Sequence, residues 1–376
     1  MKIQSIVFNN NYFRSLISFI YSKIFKSVNL YFFANLQKKN FEYNFKLHPT
    51  SALVKTIQCG YCGTDRKIIT YDFSIDSSAL LDTQKHKIKS MYLGHEVVGK
   101  IIELGHKVKD LKINDIVIVD SVNRKNNVDN KDIFGGFTNF FVKDQKKLIK
   151  IEGKLKSEQA ILIEPLACGL EAIKKTIIKK NDKILIIGAG IIGTGIAHLL
   201  RYYHKEHIDI TIATNSFSHK KMLSYKTVDN IIYKKNLFDE SKKVLKSGSR
   251  SIMNNKILIN GYNKVFECSG DLNIFNTILR ICKKDAHIVL TGMNMQNIKF
   301  DPTPIWHRNL KISGTHGYKK KYPKFKLDTL AYISQLIIKK KIDLSKLKIK
   351  KIYLKNWKDL FKENNHEYLK KSLFFK

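Results

Sequence analysis

Lys183-Ile-Leu-Ile-Ile-Gly-Ala-Gly-Ile-Ile-Gly193 is the stretch from which the rest of the chain can be read. The run up to Ile187 is short, apolar and rich in isoleucine, the pattern of a strand buried on both faces. Beyond it, Ile192, Ile196, Leu199 and Leu200 recur at helical spacing, so the glycines stand at a strand-to-helix turn. There Gly188 permits the tight turn, Gly190 lets the backbone approach a pyrophosphate and Gly193 allows close helix packing. The G-x-G-x-x-G pattern alone is a weak signal, because glycine-rich turns occur in unrelated α/β domains. Its flanks make dinucleotide binding the stronger reading.

Working outward, further strands are expected at Asp209–Ala213, Asn230–Tyr233, Lys264–Cys268, His287–Thr291 and Leu310–Ser313, separated by helical or loop stretches. Together with residues 183–187 they make a doubly wound parallel sheet of Rossmann type the economical fold. Upstream the pattern differs. Ala52–Ile57, Val97–Leu104, Asp115–Val119 and Phe137–Val142 read as short strands of an all-β or barrel-like region, and helical spacing over Ala160–Ile178 marks the hand-over. The lysine- and leucine-rich tail suggests helices at Leu327–Lys340 and Trp357–Asn364.

About twenty residues after the glycine turn, a site for NAD usually places a carboxylate against the ribose hydroxyls. Here that point falls at Ala213-Thr214-Asn215-Ser216, without a carboxylate, and Lys220 and Lys221 follow. NADP(H) is therefore expected over NAD(H), with Thr214, Asn215 and Lys220 on the cofactor; as plain surface lysines, these two would decide nothing. Ser269 and Gly292, each just after a later strand, complete the expected cofactor contacts.

The β region holds Cys62-Gly-Thr64-Asp65 and, further on, Gly94-His95-Glu96. Catalytic zinc takes three protein ligands from thiolate, imidazole and carboxylate and leaves one position open. Cys62 and His95 supply two, and Glu164, where the β region meets the cofactor region, is the best third. Singly, Cys62 reads as a buried small hydrophobe and His95 as a core histidine; the combination points to metal.

Taken together, Cys62-Gly-Thr-Asp65, Gly94-His-Glu-Val-Val-Gly99, Gly105-His-Lys-Val108, Asn114-Asp-Ile-Val117, Glu164-Pro-Leu-Ala-Cys168, the glycine fingerprint and Val265-Phe-Glu-Cys-Ser-Gly270 resemble, in order, the zinc-containing medium-chain dehydrogenase/reductase family. The resemblance extends from about Ala52 to Gly317. It implies a GroES-like catalytic domain from residues 1–165 and 317–376 around a Rossmann dinucleotide-binding domain at 166–316. It also implies one catalytic zinc on Cys62 and His95, with Glu164 in the third-ligand position of polyol and sugar dehydrogenases and Glu96 as an alternative ligand. Thr64 is placed to pass on the substrate hydroxyl proton, and Asp65 to orient His95. The implied activity is hydride transfer between NADP or NAD and an alcohol, polyol or sugar.

The chain also departs from its relatives. Ser121–Phe134 contains no cysteine, so no structural zinc is expected. Lys67 stands where a relay histidine is common, which leaves proton release beyond Thr64 open. The interval from Cys62 to His95 is 33 residues, with additional length around Phe73–Lys89, and Tyr12–Phe33 adds an amphipathic, helix-like stretch read as packing on the domain.

Bulk properties set the limits. A chain of 376 residues is long enough for two domains. The net charge of +36 raises nucleic acid or phosphorylated substrates as partners, but arginine supplies only seven of the 68 basic residues, and fixed-geometry phosphate or base recognition leans on arginine. Solvated lysines are the plainer reading: no nucleic acid is expected, and a phosphorylated polyol is compatible. Five scattered cysteines do not form a disulfide framework and suit a reducing cytoplasm. Arg14, Lys23 and Lys26 interrupt the N-terminal apolar stretch, so no stable membrane insertion is expected. A homodimer or homotetramer follows from the resemblance alone. The competing readings are a zinc-free NADPH quinone or enone reductase on the same fold and a non-catalytic nucleotide- or nucleic-acid-binding protein.

Overall fold

A strand covered on both faces must be apolar throughout, and Lys183–Ile187 lies at the middle of a six-stranded parallel sheet with Ile184 to Ile187 fully buried. The computed structural model describes residues 1–9, 35–42, 46–70, 90–121, 135–216, 227–252, 255–292, 297–322, 327–362 and 367–376, with single positions between 11 and 44. The strands of the first part are β1 (Lys2–Asn9), β2 (Leu36–Glu42), β3 (Ser51–Gly60), β4 (Ser90–Tyr92), β5 (Glu96–Leu104), β6 (Ile116–Val119), β7 (Phe140–Asp144) and β8 (Leu148–Lys150). There follow β9 (Lys183–Ile187), β10 (Asp209–Ala213), β11 (Asn230–Ile232), β12 (Ser249–Ile252), β13 (Asn255–Leu258), β14 (Tyr262–Glu267), β15 (Cys282–Leu290), β16 (Lys311–Gly314), β17 (Ile349–Tyr353) and β18 (Lys370–Phe374).

The parallel sheet has the order β11-β10-β9-β14-β15-β16, the Rossmann arrangement. The strand order reverses beside β9, where Ile186 pairs with Ile212 of β10 on one side and with Phe266 of β14 on the other. All six expected strands are present. Helices α1 (Gly63–Thr70), α2 (Ile163–Lys174), α3 (Ile191–His204) and α4 (Thr329–Ile338) matter most to the site. Leu166 and Leu170 of α2, Ile196 and Leu200 of α3, and Leu330 and Ile333 of α4 share one core with Ile184 and Ile186. The helix expected over Ala160–Ile178 is shorter than its periodicity suggested, because a separate turn at Ser157–Ala160 precedes α2.

The second sheet has seven strands, in the order β17-β18-β3-β5-β6-β8, with β7 on β3. β3 changes partner along its length: Ser51 to Lys55 face β7, and Gln58 to Gly60 face β18. Two regions correct the sequence reading. In the tail, Ile349–Tyr353 and Lys370–Phe374 are strands, and the second helix expected at Trp357–Asn364 is a 3₁₀ segment over Leu354–Leu360. Their lysines hid the strand character; β18 pairs with β3, more than 300 residues away along the chain, and β17 pairs with β18. At the other end, β1 and β2 join β4 in a small antiparallel sheet. The Ile6 N–H donates to Phe137 O at 2.9 Å and the Asn139 N–H to Gln4 O at 3.0 Å, so the strand expected from Phe137 is divided between β1 and β7.

The stretches Phe73–Lys89 and Asn123–Asp132, like Lys220 and Lys221, lie outside the described residues. Of Tyr12–Phe33 only residues 13, 14, 16, 17, 20 and 24 are described; they are helical, but Phe13, Leu16, Ile20 and Ile24 are exposed, which corrects the reading of a face packed on the domain. Among those described, no helix is long and apolar enough to cross a membrane.

Phe361 anchors the seven-stranded sheet: it is 1% exposed and makes edge-to-face contacts with Tyr61, Phe137 and Trp357 at centroid distances of 5.3, 6.2 and 5.9 Å. Phe361→Ala is expected to destabilise this region by about 3–5 kcal/mol, read as a lower urea midpoint with the Trp357 fluorescence transition moving first.

Candidate active site

The two ligand-bearing loops are held by one carboxylate. Asp65, 2% exposed near the start of α1, accepts the Cys62 N–H at Oδ2 (3.0 Å) and the Gly94 N–H at Oδ1 (3.1 Å). Residues 62 and 94–95, distant in sequence, thereby become neighbours. His95 Nδ1 lies 3.8 Å from Asp65 Oδ1, too far for a hydrogen bond, so Asp65 acts on the ring through charge and on the loops through hydrogen bonds. Gly94 adopts φ +86°, a conformation that favours glycine and turns the chain so that His95 faces Cys62.

Cys62, His95 and Glu96 each offer a ligand atom, and these atoms all lie within 4.8 Å of one another. Glu96, the first residue of β5, is 1% exposed and meets the ammonium of Lys370 on β18, itself 3% exposed at its side chain. Lys370 Nζ donates to Oε1 at 2.7 Å and stands 2.6 Å from Oε2, but Oε2 receives no hydrogen bond. A buried carboxylate beside a thiol and an imidazole is the donor set of a zinc site, so these residues fit the metal. The ion pair exists because Gly60 lies opposite Glu96 in the β3–β5 ladder; a Cβ there would overlap Glu96 Oε2 and Lys370 Cε.

Glu164, at the start of α2, belongs to the same surroundings but not to this closest group. Its Oε1 accepts from Ser121 Oγ at 3.2 Å and from the Cys168 thiol at 3.7 Å. Burial and the neighbouring Glu96 charge push its pKa up, against His95 and Lys370, which favour the carboxylate. His95 shows the converse: burial would depress its pKa, but negative charge at Cys62, Asp65 and Glu164 prevails and holds it well above the imidazole value. Thr64 Oγ1 is 3.6 Å from Cys62 Sγ at a half-buried position, and Cys168 is held by Glu164 as a helix residue beside the site.

The cofactor crevice lies at the carboxyl ends of β9 and β14. Gly188 has φ +99°, donates its N–H to Ala213 O at 2.8 Å and leaves only 3.1 Å between an added Cβ and Ser269 N. At Gly190, the N-cap of α3, an added Cβ would meet nothing within 4 Å; at Gly193 it would overlap Gly188 O. The backbone is thus open where a phosphate would approach and tight where the helix must pack. Ser269 and Gly292 meet through Glu267, a residue with no role in the sequence reading. Glu267 Oε1 accepts the Ser269 N–H (2.8 Å) and Oγ–H (2.5 Å), and its backbone carbonyl accepts the Gly292 N–H (2.8 Å). Thr214 Oγ1 accepts from Ser216 N, and Asn215 Oδ1 accepts from Lys235 N at 2.8 Å, which brings Lys235 beside the end of β10. Lys234 is paired with Asp271 at 2.8 Å.

Comparison with known proteins agrees with this architecture. The family "Alcohol dehydrogenase GroES-like domain" matches residues 48–153, and "Zinc-binding dehydrogenase" matches residues 213–331. D-arabinitol dehydrogenase 1 of Uromyces fabae is 23% identical over 72% of this chain and 77% of that protein. (R,R)-butanediol dehydrogenase of Bacillus subtilis is 27% identical over 42% of this chain, a match spanning about half (49%) of that protein. A zinc-binding dehydrogenase from Sinorhizobium meliloti, solved with NADP, superposes with a TM-score of 0.73 at 19% identity, covering all of both chains. The chain belongs to the zinc-dependent medium-chain dehydrogenase/reductase family.

Removing one partner of a buried ion pair leaves an uncompensated charge. Lys370→Met is expected to cost about 3–5 kcal/mol in urea unfolding, and Lys370→Met combined with Glu96→Gln to recover most of that loss.

Proposed function

We propose that this protein is a zinc-dependent dehydrogenase that moves a hydride between a nicotinamide cofactor and an alcohol, a polyol or a sugar. The observation that carries the reading is the convergence of Cys62, His95 and the buried carboxylate of Glu96 within 4.8 Å. In this proposal those three residues would hold the metal, with Glu164 as the further carboxylate that could serve as a ligand. When bound, zinc acts as a Lewis acid toward the substrate oxygen, and the nicotinamide accepts or gives the hydride.

The chain's own residues supply the rest. Asp65 fixes the spacing of the two loops, so that the ligand atoms need little rearrangement on binding. Lys370 holds Glu96 in place through their ion pair. Thr64 Oγ, half-buried at the start of α1, takes the substrate's hydroxyl proton and passes it toward solvent. Gly188, Gly190 and the N-terminus of α3 receive the cofactor pyrophosphate, while Ser269 and Gly292 line its nicotinamide side. A zinc-free quinone reductase would have no use for this donor set.

Metal analysis of purified protein is expected to give one zinc per chain. Cys62→Ser should lower that content and reduce kcat/KM on a panel of alcohols, polyols and sugar phosphates by at least about a thousandfold, matching several kcal/mol of lost charge stabilisation. Full metal-free activity of the purified protein would overturn the proposal.

No carboxylate follows β10, and Lys235 is fastened to Asn215 there, so we further propose NADP(H) as the cofactor. Turnover at equal subsaturating concentrations is expected to be at least tenfold faster with NADPH than with NADH, and Lys235→Glu should narrow that gap; a preference for NADH would refute it.

A further inference from the structure

Toward the other end of β3 and β18 from Gly60 and Lys370, a second cavity of about 440 Å³ opens. Lys55 of β3, Phe140 of β7, Tyr353 of β17, Lys355, Phe374 of β18 and Lys376 contribute to its wall, and among the described residues no Asp or Glu side chain lines it. The Tyr353 and Phe374 rings stand edge to face at 5.6 Å, and Lys376 Nζ lies 5.4 Å from the centre of the Tyr353 ring. Neither Lys55 nor Lys355 has a carboxylate partner among the described residues. Lys55 is also directly opposed to Lys100 across the β3–β5 ladder, a like-charge arrangement that an anion would relieve.

Uncompensated cations and aromatic rings around one cavity select a ligand with both properties. An inorganic ion would satisfy the lysines but leave most of the volume empty, whereas a ring-bearing anion fills it. We propose that this cavity is a ligand site, separate from the cofactor crevice, for a small aromatic molecule carrying a phosphate or carboxylate group. The lysines hold the anionic group and Tyr353 and Phe374 hold the ring.

The test is calorimetric titration of the full chain with phenyl phosphate. The expected result is binding to this site, weakened at least tenfold by Lys55→Gln with Lys355→Gln, and at least tenfold weaker binding of inorganic phosphate. A control, Lys242→Gln with Lys243→Gln on the helix Leu237–Val244, removes the same charge elsewhere and should leave affinity unchanged. Tyr353 is 40% exposed, so Tyr353→Ala costs little stability and serves if the lysine variant does not fold; it should weaken phenyl phosphate and spare inorganic phosphate. Equal loss in both lysine pairs, indifference to Tyr353→Ala, equal affinity for phosphate and phenyl phosphate, or no binding at millimolar concentrations would each overturn the proposal.

Discussion

The site depends first on a carboxylate that binds no metal in our reading. Asp65 is buried and spends both oxygens on backbone N–H groups, one from the loop of Cys62 and one from the loop of His95. A hydrogen bond to an ionised acceptor is roughly twice as strong as a neutral one, and two of them on one side chain convert a pair of adaptable loops into a fixed frame. Sulfur, imidazole and Glu96 converge because the frame leaves them little choice. The same economy appears across the crevice, where Glu267 gathers Ser269, Gly270 and Gly292 at the ends of two parallel strands.

These two carboxylates serve two sheets that meet around α2. That helix places Glu164 toward the ligand cluster, while its buried face packs on α3 and on the sheet behind the glycine turn. One rigid element therefore sets the separation between donor cluster and cofactor crevice. Ser157 Oγ to Gln58 Oε1 at 2.6 Å and Gln58 Nε2 to Ser372 Oγ at 2.7 Å add a buried chain of hydrogen bonds just ahead of it.

Much of this was legible before any coordinates. Glycine declares itself where backbone geometry excludes other residues, so the turn at Gly188–Gly193 and the six strands around it could be read directly, with β9 and β10 at their observed limits. Cys62, His95 and Glu164 could be singled out because their types match a known chemistry, and the first two lie beside one another. The order of the two carboxylates was not legible: Glu96 stands nearer the thiol and imidazole than Glu164 does, a matter of strand register that spacing cannot reveal. Lys370 was illegible because one lysine among so many carries no signal, and β17 and β18 because their lysines hid the strand character and β18 pairs with β3, far away along the chain. Glu267 escaped because a carboxylate inside a buried strand has meaning only once its three N–H and O–H donors are visible.

The pairing of Glu96 with Lys370 spans 274 positions of the polypeptide. Synthesis on the ribosome proceeds from the amino end, so the nucleotide crevice, complete by β16, can settle while the strand bearing Lys370 is still untranslated. Glu96 consequently meets its counter-charge only after the nucleotide crevice has been synthesised. A message interrupted ahead of that strand would yield a polypeptide with an intact dinucleotide fold, and with a buried acid that never meets its counter-charge.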